Sequence, residues 1–559
     1  MPLKPVYKRA PLLTLRQVPV SYGAVTAVDP TVQKLYDLCK QTPDEVTLLE
    51  GAFGLACLLL RDPMKEPVAE KILQLTDAVV KKSITLSESD QLAVMRAALA
   101  LYEYSGDKKT AASVLAWCGQ KEAEWDQVME DLRIRQTPAD MMEFLVRLYR
   151  YTGSKGLLRL CTRLRSQAMD WTSILKTFDQ NRGMKKLIDR KDLQVELEKE
   201  NNDEAAYYTR LYLTNQAVNF ADGIRYTVFT GQFSGNGQEM SAGERGWEMI
   251  RKYHYAVCGG STADQTLEGM GTHRPVDAVS TAAWCEALCR LYQVNSKAAV
   301  LQDIMDLAVN AIPALFTEEG IAEFQFVNTV REGAGAERYY DPDETGKHRV
   351  HCIARLSRAL DLVYRTAMTQ TENGFSVNMM LPCTAKLLVN GKTAAAVSDG
   401  KTVTLKTRET ARAEIYFAAS ADTDVSVNGD SAFRIVRGSR ILLDRVWSDG
   451  DRLITESGEN VRTVEAHHHS ACVKKGNTLY AMPAGEKNFE YALCGEPEER
   501  DGKVFAKFRK VKDWKQVNGI PNNVPVYPAV EGPVTEIELK PYAGLKTRIA
   551  VFPRGKADQ

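Results

Sequence analysis

HCIARLSRALDLVYRTA (residues 351–367) and FSVNMMLPCTAKLLVNG (residues 375–391) stand on either side of a change of period. The first is helical in pattern, and the pattern reaches back from Thr366 to about Gln33. From about Thr371 onward the chain shows short alternating runs bounded by Asn-Gly and Asp-Gly turns. Further runs of this kind are KTVTLKT (401–407), RAEIYFAAS (412–420), SRILLDRVW (439–447), NTLYAMPAG (477–485), VTEIELK (534–540) and TRIAVF (547–552). Trp447-Ser448-Asp449-Gly450-Asp451 has the chemistry of a hairpin turn. Helices first and strands later imply separate domains packed together.

Within the helical half, Thr42-Pro43-Asp44-Glu45 and Thr137-Pro138-Ala139-Asp140 each read as a helix start. Each has a hydroxyl cap, a first-turn proline and an early carboxylate. A weak repeat also runs there. LYEYSGDKK begins at Leu101, LYRYTGSKG at Leu148 and LYQVNSKAA at Leu291. Each closes an amphipathic helix, turns through small polar residues and opens another helix. Such units bury their apolar stripes only by stacking on neighbours, in an open solenoid or a closed toroid. The expected fold class is therefore multi-domain α + β, an (α/α) helical toroid or barrel followed by β-sandwich domains. The expected bounds are 1–30 for an extended segment able to add a sandwich strand, 31–370 for the barrel and 371–559 for the sandwich domains. The charged run from Lys185 to Glu204 reads as a solvated helix face or loop.

The chain has 559 residues, more than one ordinary core holds. Lys plus Arg equals Asp plus Glu at 72 each, which gives no electrostatic reason to seek nucleic acid or an anionic membrane. No run of apolar residues is long enough for a membrane span. Pro5 and Pro11 interrupt the N-terminal stretch, which lacks the apolar centre of a signal peptide. The 11 cysteines are scattered, and Cys57, Cys161 and Cys289 sit in helical patterns beside Leu and Ala. This is the pattern of reduced, buried thiols, and the expected compartment is the cytoplasm. A homodimer through the sandwich domains is compatible with the sequence but not dictated by it.

LYLTNQAVNFADGIR (from Leu211), GWEMIRKYHYAVCGGSTADQTLEG (from Gly246) and DAVSTAAWCEALCRLYQVNSKAAVLQDIMDLAVNAI (from Asp277) resemble segments of glycoside hydrolase family 127. The resemblance continues through HCIARLSRALDLVYRTA, NGFSVNMMLP, LDRVWSDGDRL, NTLYAMPAG and PYAGLKTRIAVFP. It covers Tyr207 to Pro553 in collinear pieces. It implies an (α/α) barrel with β-sandwich domains and release of terminal arabinofuranose, or a related sugar, from plant-type oligosaccharides. It also implies a zinc ion held by one Glu and three Cys, with one Cys as nucleophile and a separate Glu as acid/base.

This chain departs from that set. The family's Glu-x-Cys falls on Asp277-Ala278-Val279. The acid/base Glu falls on Gln265, and an amide does not exchange protons at neutral pH. An upstream His of relatives falls on Gln216. The Cys pair falls on His348-Arg349, or with a short gap on His351-Cys352. Two readings stay open at this level. In one, His348, His351, Cys352 and Asp277 form a mixed metal site, with zinc the candidate ion, or a Cys–His pair with Cys352 reactive. In the other, Asp264, Glu268 and Asp277 supply ordinary acid/base chemistry without metal.

Asn215, Gln216, Asn219, His254 and Gln265 are expected to contact sugar, as are His273, Arg274 and Arg349. Cys285 and Cys289, one turn apart, read as core, and Trp284 as core or a stacking face. His467-His468-His469 reads as surface. Two rival functions accompany the hydrolase. One is a catalytically silent sugar-binding or structural relative. The other is a lyase for an acidic sugar, with His351 as base beside Arg349 or Arg355.

Overall fold

The structure is a computed structural model. It describes residues 18–59, 61–62, 66–134, 138–178, 204–317, 320–334, 342–419, 422–430, 433–457 and 460–555. Most of the charged run (185–203), most of the N-terminal segment (1–17) and Thr137 lie outside the described residues.

Among the described residues, twelve helices carry the barrel: α1 (Pro30–Gln41), α2 (Leu49–Leu58), α3 (Pro67–Val80), α4 (Glu88–Ser105), α5 (Lys108–Ala123), α6 (Pro138–Thr152), α7 (Lys155–Gln167), α8 (Ala217–Ser234), α9 (Gly237–Tyr253), α10 (Ala278–Asn295), α11 (Ala298–Asp306) and α12 (Pro342–Ala367). The even-numbered helices form the inner ring. Each packs on the next, and α12 returns to α2, so the ring is closed. The odd-numbered helices pack outside it. Inner helices are buried nearly all round, as α2 and α10 show over almost their whole lengths, whereas an outer helix such as α7 buries one stripe, Leu157, Leu160, Cys161 and Leu164.

The Leu-Tyr repeat is the corner between an inner helix and the outer helix that follows. Tyr102, Tyr149 and Tyr292 are buried near the C-termini of α4, α6 and α10. In each case the tyrosine carbonyl accepts from the N–H of a left-handed residue four positions on: Gly106 at 2.8 Å, Gly153 at 2.8 Å and Ser296 at 2.7 Å. This is the left-handed C-terminal cap that satisfies an orphan carbonyl and turns the chain. Thr42 differs from expectation. It closes α1 rather than opening a helix, and helical structure resumes only at Val46. Proline at 43 disfavours helical backbone at the preceding residue, so the pair works as a stop. Pro138 opens α6 as expected.

The ring closes where two glycines of α2 face α12. A Cβ at Gly51 would lie 2.6 Å from Ser357 Cβ and 3.2 Å from the Arg358 nitrogen, and one at Gly54 would lie 2.6 Å from Asp361 Cγ. Gly51→Ala must push α12 outward, because part of what it meets is backbone. The expected cost is about 1–3 kcal/mol, read as a lower urea midpoint. An unchanged midpoint would show the seam to be loosely packed.

The chain passes from α12 directly into the strand Met368–Gln370, without a linker. A five-stranded sheet runs in the order Val18–Pro19, Met368–Gln370, Gly374–Val377, Ala411–Ala418, Arg440–Trp447. A seven-stranded sheet runs Phe433–Ile435, Thr423–Val427, Arg452–Ser457, Thr402–Thr407, Lys392–Ser398, Cys383–Val389, Val25–Ala27. The N-terminal residues thus give one strand to each sheet. Cys383–Val389 alternates buried with more exposed positions, as a strand with one face on a core does.

Residues 462–549 build a further eight-stranded sheet. It docks on the toroid through polar contacts. Lys474 Nζ meets Asp306 Oδ1 at 2.8 Å, and Asn310 Nδ2 donates to the Asn477 carbonyl at 3.0 Å. Tyr542 Oη and Arg548 Nη2 both donate to Gln325 Oε1, at 2.9 and 3.0 Å. Gln325 lies in the strand Phe324–Phe326, which pairs with Pro275–Asp277. The C-terminal domain therefore braces the strand pair that carries Asp277. Among the described residues no helix is long and apolar enough to cross a membrane.

Candidate active site

A cavity of about 730 Å³ opens at one end of the ring. The helices α4, α6, α8 and α10 contribute to it from their N-terminal halves, and α12 along His348 to Arg358. From the sequence-predicted residues it collects Gln216, Asn219, Gln265, Asp277, His348 and His351. The first two sit at the start of α8, and Asp277 is the N-cap of α10. Both histidines lie on α12.

Asp277 is buried, and Ser280 donates to its Oδ1 twice, through N–H and hydroxyl, each at 2.6 Å. Burial pushes its carboxyl upward, against these bonds and the nearby His348. Glu323 precedes the paired strand, and its carbonyl accepts from Ala278 N at 2.7 Å. Burial, and then the Asp277 charge, raise the Glu323 carboxyl against His348. Two carboxyl groups with elevated pKa thus share one corner beside an imidazole. A carboxyl whose pKa is raised is a candidate proton donor or acceptor.

Gln265 carries a left-handed backbone, φ +60°. Its carbonyl accepts from Ala217 N at 2.8 Å, and its Oε1 accepts from Tyr212 Oη at 3.1 Å. A non-glycine residue held in this region by several contacts is the kind of strain that clusters at functional sites. His351 projects into the cavity. Its surface is open to the cavity, but the crowding of protein around the ring, then Arg355 and Arg358, push its imidazolium down.

The remaining predicted residues lie elsewhere. His348-x-x-His351-Cys352 is not a loop; it runs within α12. Adjacent residues on a helix diverge by about 100°, so Cys352 points away from the cavity, fully buried, with its thiol pushed up first by burial and then by Asp277 and Glu323. A protonated, enclosed thiol is no nucleophile. Asn215 is buried and bonded to the Leu211 carbonyl. His254 is buried, and its Nδ1 accepts from Gly269 N at 2.9 Å, which fixes the loop behind the wall. Glu268 and Arg274 pair with each other at 3.0 Å. Asp264 belongs to a short hairpin with Thr266–Leu267. His273 sits against Gly271, and Arg349 against Gly320. None of these lines the cavity.

The zinc set that the resemblance implies does not fit the residues present. Asp277 Oδ1 is taken by Ser280, Val279 stands two residues on, and Cys352 faces the core. Among the described residues no three His, Cys, Asp or Glu side chains converge as a metal site.

Sequence reasoning missed a buried charge network behind the wall. Arg225 meets Asp140 at 2.6 Å and both Asp222 and Glu143 at 2.9 Å. Arg355 meets Asp222 at 2.8 Å and Glu286 at 3.1 Å. Arg96 meets Glu50 at 2.8 Å and also Asp140. Arg290 reaches Glu143 at 2.5 Å, and Arg147 reaches Glu103 at 2.8 Å. Burial alone would raise the Asp140 carboxyl, but Arg96 and Arg225 overcome it and hold it well below the usual range. Asp140, Asp222, Arg96, Arg355 and Arg358 reach the cavity wall. A signal was present in the sequence: charges at helical spacing inside otherwise apolar helices, as in Asp140, Glu143 and Arg147.

No family model and no curated protein matches the chain. Solved structures do. One, described as a glycoside hydrolase, shares 14% identity at a TM-score of 0.71, over 99% of this chain and 100% of that one. A GH127 β-arabinofuranosidase shares 12% identity at 0.65, over 97% and 98%. A GH127 β-L-arabinofuranosidase from Geobacillus stearothermophilus T6 shares 12% identity at 0.57, over 95% and 91%. The chain has the fold of these proteins along nearly its full length.

Proposed function

With the family 127 fold as premise, we propose that this protein hydrolyses a glycosidic bond at the end of a glycan. The terminal sugar, arabinofuranose or a related residue of plant-type oligosaccharides, sits in the cavity. One observation carries the reading: Asp277, buried and bonded to Ser280, stands at the wall of a pocket suited to a small ligand, with the Glu323 carboxyl near enough to feel its charge. Asp277 supplies or accepts the proton, Glu323 works beside it, and Gln216, Asn219 and Gln265 orient hydroxyl groups. The chemistry needs no metal in this proposal, since two carboxyl groups suffice for glycoside hydrolysis.

A second reading has its own support. Gln265 stands where the resemblance puts the acid/base Glu, and an amide there suits a protein that binds sugar without turnover. Incubation with a panel of aryl glycosides and plant oligosaccharides, read by chromatography, separates the two. Release of a single terminal sugar supports the hydrolase. Saturable binding with no product establishes the silent relative, and an unsaturated product would assign a lyase instead.

A further inference from the structure

One face of α12 presents His348, His351, Arg355 and Arg358 to the cavity. Their spacing of three, four and three residues keeps them in a single stripe. The arginines on the wall are not equivalent. Arg355 gives Nη1 and Nη2 to Asp222 and also meets Glu286. Arg96 is committed to Glu50 and Asp140. Arg358 donates only through Nε, to Glu286 Oε1 at 3.1 Å, and no hydrogen bond from its two terminal nitrogens is present among the described residues.

A guanidinium with its fork open is shaped for a carboxylate. The carboxylates already on the wall have other partners. Asp140 is held by Arg96 and Arg225, Asp222 by Arg225 and Arg355, Asp90 by the Ser87 hydroxyl, and Asp277 by Ser280. Arg355 and Arg358 both act on the His351 imidazole, with Asp140 opposing them.

We propose that the sugar bound in the cavity is a uronic acid, with its carboxylate clamped by the terminal nitrogens of Arg358 and His351 beside it as a neutral partner. The inference rests on reading the cavity as a sugar site, and it selects an anionic sugar over a neutral pentofuranose. A neutral sugar offers this fork no charged partner.

The test is calorimetric titration of the full chain with D-glucuronate and D-galacturonate, with D-glucose and L-arabinose as neutral controls. Glucose 6-phosphate and inorganic phosphate test the other source of anionic charge. A uronate should bind at least ~10-fold more tightly than its neutral parent, and Arg358→Gln should remove about 10–100-fold of that affinity, so that acid and neutral sugars bind alike. Where Arg358→Gln fails to fold, Arg358→Lys keeps the charge without the planar fork and should still lose most of the preference. Equal binding of acid and neutral sugars overturns the proposal, as does a preference that survives both variants, or phosphate binding tighter than uronate. Binding is read without turnover. A uronate that binds while no aryl glycoside is cleaved defeats the hydrolase and leaves this inference standing. Cleavage of a neutral arabinofuranoside with no uronate preference does the reverse.

Discussion

Replacing Arg225 with methionine is expected to destabilise the protein by about 3–5 kcal/mol, the range for breaking a buried ion pair from one side. Arg225 is 1% exposed and sits among Asp140, Glu143 and Asp222. Methionine matches much of its length but leaves three carboxylates without a shared cation, at a position itself shut off from solvent. The pH dependence has a definite sign. In the intact protein Asp140, Glu143 and Asp222 are held below their ordinary values, against burial, by the arginines around them. Groups of this kind stabilise the fold above pH ~4 and lose that contribution as pH falls through their lowered values. In the variant their pKa values rise, so they protonate earlier and the penalty shrinks. The gap between the two proteins in urea titrations should be widest at pH 7 and narrow toward pH 4. A gap independent of pH would mean that lost packing, rather than unpaired charge, causes the loss. Arg225→Lys keeps a charge but not the fork, and should fall between the two.

The same network explains what could be read from the sequence and what could not. The ring was legible because its corners repeat locally. Leu-Tyr, then a left-handed residue, then a new helix start is a short-range pattern, and the structure uses it three times at the same place. The change from helix to strand was legible because burial on one stripe and burial on one sheet face leave different periods. The cavity was half legible. Gln216, Gln265, Asp277 and the histidines of α12 do converge. Cys352 was misplaced because its adjacency to His351 in sequence was read as adjacency in space. On a helix, residues 348 and 351 share a face and residue 352 does not. Arg96, Asp140 and Asp222 come from α4, α6 and α8, and their meeting depends on ring closure, which no local pattern encodes. Glu323 was invisible for the same reason. It reaches Asp277 only through a pairing of two short strands about 50 residues apart.

Asp277→Asn should lower the rate of glycoside cleavage by about 10²–10⁴-fold, the usual contribution of a positioned proton donor or acceptor. The substitution is unusually clean because Asp277 has two roles that amide chemistry separates. As N-cap of α10 it accepts from Ser280, and asparagine caps as well as aspartate does. As an acid it must exchange a proton, which an amide does not do. The fold should therefore survive. Stability should even rise slightly at high pH, because a buried carboxyl of raised pKa opposes folding once it ionises and an amide never ionises. Glu268→Gln provides the contrast. Its carboxyl is also raised by burial, against Arg274, but it lies off the wall, so that variant should keep the rate within about 3-fold, well short of the effect of losing a positioned acid. The remaining activity of Asp277→Asn should also lose one limb of its pH profile. Full activity with an unaltered profile would reduce Asp277 to a helix cap and pass the proton to Glu323, the other carboxyl at that corner.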